Sequence, residues 1–293
     1  MSSLRRDEAR TAYLFLLPNI LGFLIFTALA VVASAGIALT DWDLLSPPEF
    51  VGFKNFLRLL TRDETFIMVL RNTLVFTAAS VVATMVLSLL VALAMNQALR
   101  GIVLFRTAYY LPVVTSSVAV AVVWTWFYNP DFGPLNYYLS RLGAPAPPWL
   151  GSPEWALPAV IIVAVWKTIG YDMILWLAGL QGIPPHLYEA AAIDGAGRWR
   201  RFTAITLPLL TPTTFFVLVI SLIHAFQVFD TVQVMTGGGP ADASRTMVVF
   251  IYDQGFRFLK MGYAAAVAWL LFVFIFIVTL AQWRLQRRWV SYD

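Results

Sequence analysis

Six long apolar runs occupy most of the 293 residues: about Thr11–Leu39, Thr73–Leu99, Thr107–Tyr128, Trp155–Leu180, Leu207–Phe229 and Tyr263–Trp283. Each reaches the roughly 20 residues that a helix needs to cross a bilayer. Hydrocarbon offers backbone N–H and C=O groups no partner, so such runs fold as helices, whose hydrogen bonds close within the segment. None has the period-2 alternation of a barrel strand. The expected fold class is an all-α membrane protein with six transmembrane helices. Composition agrees, since 60% of the residues are hydrophobic and 12% are charged, against roughly 25% charged in soluble domains.

Several functions are excluded at this level. The net charge of +4 is modest and the arginines sit beside apolar runs rather than in a phosphate-tracking stripe, so no nucleic-acid partner is expected. The absence of cysteine removes disulfides and thiolate-bound metals, and His186 and His224 are too far apart in sequence to suggest a metal site. Neither a His-x-x-x-His pair, a Gly-x-Ser-x-Gly elbow nor a Walker A pattern occurs, so no catalytic residue is expected. Arg5, Arg6 and Arg10 precede the first run as in a signal peptide, but Thr11–Thr40 is uncharged and far longer than the roughly 7–15 residues of a signal core. It reads as a retained span.

Basic residues at the ends of the runs set the expected orientation. With the N-terminus inside, eleven lie on the inner side: Arg5, Arg6, Arg10, Arg100, Arg106, Arg198, Arg200, Arg201, Arg284, Arg287 and Arg288. Eight lie outside: Lys54, Arg58, Arg62, Arg71, Arg141, Arg245, Arg257 and Lys260. Four of those eight share the loop Asp41–Arg71, where Phe53, Phe56, Leu57 and Leu60 are spaced as one apolar helical face, the pattern of a helix lying at the membrane surface. Both termini are then cytoplasmic. The expected organisation is a cytoplasmic N-terminus at 1–10, a first span at 11–39, an outer loop with its interfacial helix at 40–71, a core of five spans at 72–285 and a cytoplasmic C-terminus at 286–293. The outer turns Asn129-Pro130, Gly133-Pro134 and Pro145–Pro148 read as ordered.

The loop at 182–206, between the fourth and fifth runs, is the most informative polar stretch. Pro184-Pro185 ends one helix and starts another. His186–Ile193, rich in alanine, reads as a short helix, and Gly195 after Asp194 is placed for the left-handed C-terminal conformation. Arg198–Thr206 reads as a second short helix, and Pro208 opens the next span. The product is a rigid helix-turn-helix whose small alanines let a partner surface approach.

Within that loop Glu189-Ala190-Ala191, Gly195, Ile205, Leu207 and Pro208 match the pattern E-A-A-x3-G-x9-I-x-L-P. With it, the chain resembles the permease subunits of type I ABC importers, and within them the carbohydrate group that includes the maltose and glycerol-3-phosphate permeases. Phe50-Val51-Gly52-Phe53-Lys54-Asn55-Phe56 is similar to that group's first outer loop, Arg106 with Leu111-Pro112 to the entry of its third helix, and Thr236-Gly237-Gly238-Gly239-Pro240 to a segment seen mainly in one of two paired permeases. The resemblance runs from about Asp7 to Arg288. It implies that Glu189, Ala190, Ala191, Asp194 and Gly195 belong to a coupling helix seated in a cleft of an ATP-binding subunit, with Glu189 paired to an arginine or polar group there. It implies that Gly237, Gly238, Gly239 and Pro240 face an extracytoplasmic solute-binding protein. It further implies a second homologous permease, a different chain, and a dimer of ATPases that hold ATP and Mg, so that this chain binds no cofactor itself. The expected site is a bacterial or archaeal cytoplasmic membrane.

Ionisable and polar residues within spans are costly and point to function. Lys167 and Asp172 fall in the fourth run, about 140° apart around a helix, so they are not expected to pair. Ser221, His224 and Gln227 form a stripe on the fifth, with Asp230 beyond it. One reading has that stripe, with Trp166, Gly170 and Tyr171 of the fourth run and Thr115, Ser116 and Ser117 of the third, lining a path for a hydrophilic solute such as a sugar. The other has the same groups bonding between helices and Trp166 as packing. Two roles fit Lys167: contact with solute, or a brace to the partner permease. The expected function is a permease subunit that forms half of a sugar path and is moved by its ATPase. The alternative is an ion-coupled secondary transporter with Lys167, Asp172 and Asp230 as relays; a clear repeat between halves, common in that class, is not seen.

Overall fold

The computed structural model describes residues 3–97, 100–287 and 289–290. Expectations that fall on Met1, Ser2, Leu99, Arg288 and residues 291–293, and on the side chains of Arg5 and Arg6, lie outside the described residues. Among the described residues the regular structure is helical apart from one short hairpin, and the chain forms two compact units, one of the residues up to Asp63 with Ile251–Leu270, the other of Glu64–Phe250 with the residues from Leu271 onward.

In the first unit, α1 (Ser3–Phe23) passes through a π-turn at Leu24–Ala28 into α2 (Leu29–Ala38). The span Arg10–Ala38 buries none of its most apolar stretch inside the chain, so that surface is left for lipid or another subunit. Strands β1 (Thr40–Asp41) and β2 (Glu49–Phe50) pair antiparallel. Helix α3 (Lys54–Thr61) follows. Of the expected apolar face, Phe53, Leu57 and Leu60 are exposed and Phe56 is partly buried, while Leu59 is fully buried. Asn55 does the joining: its amide donates to the carbonyls of Ala38 at 3.1 Å and Thr40 at 2.9 Å, groups that the end of α2 leaves without helical partners. The Met261 N–H donates to the Trp42 carbonyl at 2.9 Å, and Tyr263 donates to Asp63 while Arg58 lies 5.2 Å over its ring.

The second unit begins with α4 (Glu64–Met95). It starts well before the expected Thr73, because the polar residues Arg71 and Asn72 lie on the helix rather than before it; the Asn72 amide donates to the carbonyls of Asp242 at 2.8 Å and Arg245 at 3.2 Å. The third run, expected as one span over Thr107–Tyr128, is instead two helices, α5 (Ile102–Val114) and α6 (Ser117–Phe127), bent by 98°. Pro112 removes one helical donor, and Thr115 and Ser116 are extended. Helix α7 (Pro134–Arg141) leads to α8 (Pro153–Gln181), whose N-cap Ser152 accepts from the Glu154 N–H. Then come α9 (Pro185–Ile193), α10 (Arg198–Arg201), a π-turn at Phe202–Thr206, α11 (Leu207–Leu209) and α12 (Thr211–Phe226). Pro208 and Pro212 interrupt the helical ladder here, and Thr211 Oγ1 donates to the Pro208 carbonyl at 2.7 Å, which Pro212 cannot serve. The fifth run was expected to continue to Phe229; the helix stops at Phe226 and resumes as α13 (Asp230–Met235). Helices α14 (Met247–Tyr252) and α15 (Met261–Gln286) complete the chain. Five described helices are long and apolar enough to cross a membrane, or six if the bent pair counts as one.

Helices α4, α8 and α12 form the centre of this unit. One buried cluster gathers Phe76, Val120, Val160, Val163 and Val232; a second gathers Met173, Trp176, Leu180, Leu210 and Val217. At Gly170 of α8 the backbones come close, and a Cβ there would run into the Tyr109 carbonyl of α5. Only glycine permits that contact, and it fixes α5 against α8.

Two outcomes are expected. Asn55→Ala leaves two carbonyls unserved at about 1–3 kcal/mol, so it lowers the thermal midpoint of the detergent-solubilised protein by several degrees, whereas Lys54→Ala on the exposed side does not. Gly170→Ala inserts an atom into a filled contact at about 1–3 kcal/mol and reduces the yield of folded protein. Gly197→Ala, where the space is open, is neutral in the same assay.

Candidate functional site

A cavity of about 450 Å³ opens between the central helices of the second unit. Helix α4 contributes Phe76, Ser80, Val81 and Thr84; Val113 and Ser117 come from the two sides of the α5–α6 break. Helix α8 contributes Ala164, Lys167, Thr168, Tyr171 and Asp172, which recur at the three- and four-residue intervals of one helical face. The end of α12 and the irregular backbone after it supply Ser221, His224, Gln227, Phe229 and Asp230. Irregular backbone at membrane depth is tolerated where it lines such a cavity, as it does at the α5–α6 break and after α12.

The polar lining is held in place. Ser221 Oγ donates to Asp172 Oδ2 at 2.9 Å, which ties α12 to α8, and Asp172 is only 3% exposed. Thr168 Oγ1 donates to the Ala164 carbonyl at 2.8 Å and lies 3.3 Å from Thr84 Oγ1, so Thr84 donates to it. The rings of Tyr171 and His224 are 6.2 Å apart. Lys167 and Asp172 take separate partners, as their angular separation on the helix requires.

Lys167 serves the broken span. Its Nζ lies 3.4 Å from the Pro112 carbonyl, 3.5 Å from that of Val113 and 3.2 Å from that of Thr115. Thr115 Oγ1 donates to the Leu111 carbonyl at 2.9 Å. The last four carbonyls of α5 have no helical partner; these two side chains take three of them, and a cation at a helix C-terminus is favoured by the dipole as well. Gly170, one helical turn from Lys167, is the point where α5 touches α8.

Of the residues expected on a solute path, Ser117, Tyr171, Ser221, His224 and Gln227 come together around the cavity. Trp166 and Gly170 lie off its wall. Trp166 turns away from the Lys167 face and meets Trp124 edge-on with ring centroids 5.5 Å apart, while Gly170 is filled by α5. Thr115 and Ser116 form the bend itself. The α4 contribution was missed, although Thr73, Thr77, Ser80, Thr84 and Ser88 recur at helical spacing; that seam is buried, and Ser88 Oγ accepts from the Trp176 indole at 3.0 Å.

The expected residues of the 182–206 loop fall on α9 and its end. Leu187 and Tyr188 pack on the cluster of Trp176, Leu180 and Leu210, and the Tyr188 hydroxyl is 2.9 Å from Thr206 Oγ1. Glu189, Ala190, Asp194 and Gly195 are exposed and Ala191 partly so, while Ile193 is 87% exposed. Gly195 has φ +77°. The N–H of Gly195 donates to the Ala192 carbonyl at 3.1 Å and that of Ala196 to Ala191 at 2.8 Å, a Schellman closure that needs a left-handed residue at this position.

Gly237 and Gly238 are also left-handed and Gly239–Pro240 is cis. Gly238 is buried against Arg245, whereas Gly237, Gly239 and Pro240 are partly exposed. Ser244 Oγ lies 2.7 Å from the Gly239 carbonyl and from Thr236 Oγ1, so this loop is closed on itself.

Residues 87–291 match the family model described as the binding-protein-dependent transport system inner membrane component. The sn-glycerol-3-phosphate transport system permease protein UgpA of Agrobacterium fabrum is 38% identical, over 83% of this chain and 83% of that one. The trehalose/maltose transport system permease protein MalF of Thermococcus litoralis is 36% identical, over 98% and 97%. A chain in the crystal structure of a bacterial alginate ABC transporter, solved with an alginate pentasaccharide-bound periplasmic protein, superposes with a TM-score of 0.86 at 31% identity, covering 98% of each chain. The protein described here thus belongs to the inner-membrane permease components of binding-protein-dependent ABC transporters, and is a multi-pass protein of that membrane.

Proposed function

We propose that this chain forms half of the translocation path of an ATP-driven carbohydrate importer and that α9 is its coupling helix. The observation that carries the reading is the cavity at the bend, with Ser117, Tyr171, Ser221, His224 and Gln227 on its wall, in a chain whose relatives are named for sugars and a sugar-like phosphate. Hydroxyl, carboxamide and imidazole groups give and accept the hydrogen bonds that sugar hydroxyls lose on leaving water. Tyr171 and Phe229, both partly exposed, offer aromatic faces to the apolar sides of a ring.

In this reading both termini and α9 face the cytoplasm, and a second, different permease completes the path. A solute-binding protein delivers sugar from outside, against the side that includes Gly237, Gly238, Gly239 and Pro240. A dimer of ATP-binding subunits, which hold ATP and Mg, docks on α9 and its counterpart. Glu189, Ala190, Ala191, Asp194 and Gly195 form the contact, with small side chains letting the partner come close. When ATP draws the ATPases together, α9 moves as a rigid body. Leu187 and Tyr188 pass that motion to the cluster of α8 and α12, the helices that carry Asp172 and Ser221. The domain organisation 1–10, 11–39, 40–71, 72–285 and 286–293 is part of the same proposal.

The test is uptake of radiolabelled mono- and disaccharides by vesicles that contain the complete complex. ATP-dependent uptake is expected to fall at least tenfold, on the order of the loss of one buried charge contact, in Glu189→Lys, with the permease still inserted. Ser221→Val is expected to reduce uptake while leaving ATPase docking intact. Undiminished uptake in Glu189→Lys removes the coupling role of α9, and solute movement by the chain without ATPase subunits replaces the whole reading with ion-coupled transport.

A further inference from the structure

The charges around the cavity are unequal in how they are engaged. Asp172 and Asp230 both line it, Lys167 is the one ammonium, and no arginine is among the described lining residues. Lys167 donates to the carbonyls that end α5, where the dipole supplies about half an elementary negative charge. Its charge is thereby partly offset by the backbone it caps, and it also interacts with the Asp230 carboxylate, so the two carboxylates still outweigh it. Asp172 is oriented by a neutral donor, the Ser221 hydroxyl at 2.9 Å, which fixes the carboxylate without cancelling its charge. Asp230 is exposed and lines the cavity. A solute entering here therefore meets two carboxylates, hydroxyls, an imidazole and one ammonium already engaged by backbone carbonyls, with no guanidinium among the described lining residues to grip a phosphate or a uronic acid. Recognition of such anions relies on paired donors of the arginine type, and a like charge set beside a carboxylate away from bulk water is repelled strongly.

We propose that this wall of the path favours uncharged or cationic polyhydroxyl solutes and turns anionic ones away, with Asp172 and Asp230 setting the discrimination. The proposal rests on the reading of the cavity as a solute path, and it narrows the solute class within it. The partner permease contributes the facing wall, and discrimination at this wall acts on whatever the path as a whole admits.

The chain contains no cysteine, so Gln227→Cys gives it a single thiol on the cavity wall. In the assembled complex, the rate at which that thiol reacts is measured with a cationic and an anionic methanethiosulfonate reagent of matched size. Modification is read on this chain by mass, and each rate is divided by the rate with free 2-mercaptoethanol. The cationic reagent is expected to be favoured about tenfold or more. That preference is expected to shrink toward unity when Asp172→Asn and Asp230→Asn are added. Ser117→Cys repeats the measurement from the side of the α5–α6 break, and Asp230→Asn alone serves if removing the Asp172 charge disturbs folding. Equal or faster reaction with the anionic reagent, or a preference that survives loss of both carboxylates, overturns the proposal. So does a thiol that neither reagent reaches at either position, because a path for polar solutes must admit both. The assay uses neither ATP nor delivered solute, so its outcome is separate from whether uptake is ATP-driven.

Discussion

A helix that stops inside a membrane leaves carbonyls without helical partners, and the centre of this molecule follows from how they are served. Helix α5 ends at Val114, between two extended residues and a bend of 98°. Lys167 and Thr115 take the exposed carbonyls. The charge that makes Lys167 expensive in a span is the property that lets it cap a helix end there. Without the cap, the bend would leave carbonyls of α5 without a side-chain donor, at about 1–3 kcal/mol for each one buried. With it, the bend becomes a wall, and the space beside it becomes the cavity.

The same helix face explains why the cavity is polar without being loose. Gly170 lets α5 lie directly on α8, and Lys167, one turn away, reaches its end. Tyr171 and Asp172 then face the space left between α8 and α12. Ser221 fixes Asp172, and Thr84 fixes Thr168, so the polar groups bridge helices rather than float. Hydrogen bonds of this kind between membrane helices contribute about 0.6 kcal/mol each on average, less than the van der Waals packing of Met173, Trp176 and Val217 beneath them. Their role is to hold orientation. The apolar cluster supplies the cohesion.

Helix α9 shows how a peripheral element can be stiff. Nine residues are too few for a stable isolated helix. This one is closed by Gly195 in the left-handed region and anchored by Leu187, Tyr188 and the Tyr188–Thr206 hydrogen bond. Anchorage is confined to one side, which leaves Glu189, Ala190 and Ile193 outward. A surface that is both exposed and rigid transmits displacement, whereas an exposed flexible loop absorbs it. The cluster that α9 packs on draws on α4, α8 and α12, three helices that also line the cavity.

Much of this was legible in the order of residues, because the signals involved are local. Apolar runs of bilayer length give spans whatever their neighbours do, the alanine-rich stretch before Gly195 gives a capped helix, and Ser221, His224 and Gln227 share a stripe through helical spacing alone. Other features depend on groups far apart in the chain. Nothing local distinguishes Trp166, which turns to Trp124, from Tyr171, which faces the cavity; packing against α6 decides it. Gly170 reads as a path residue until the Tyr109 carbonyl is found against it. The break at Thr115 was hidden because Pro112 within a membrane helix is usually tolerated, and only the arrival of Lys167, 52 residues after Thr115, makes stopping there affordable. The sequence by itself determined that this chain spans a membrane as helices and carries a capped helix between its fourth and fifth runs, because hydrogen bonding and backbone sterics act within a few residues. Only the tertiary structure decided where the third run breaks and which polar groups share a cavity, because both depend on partners that helix packing brings together across the chain.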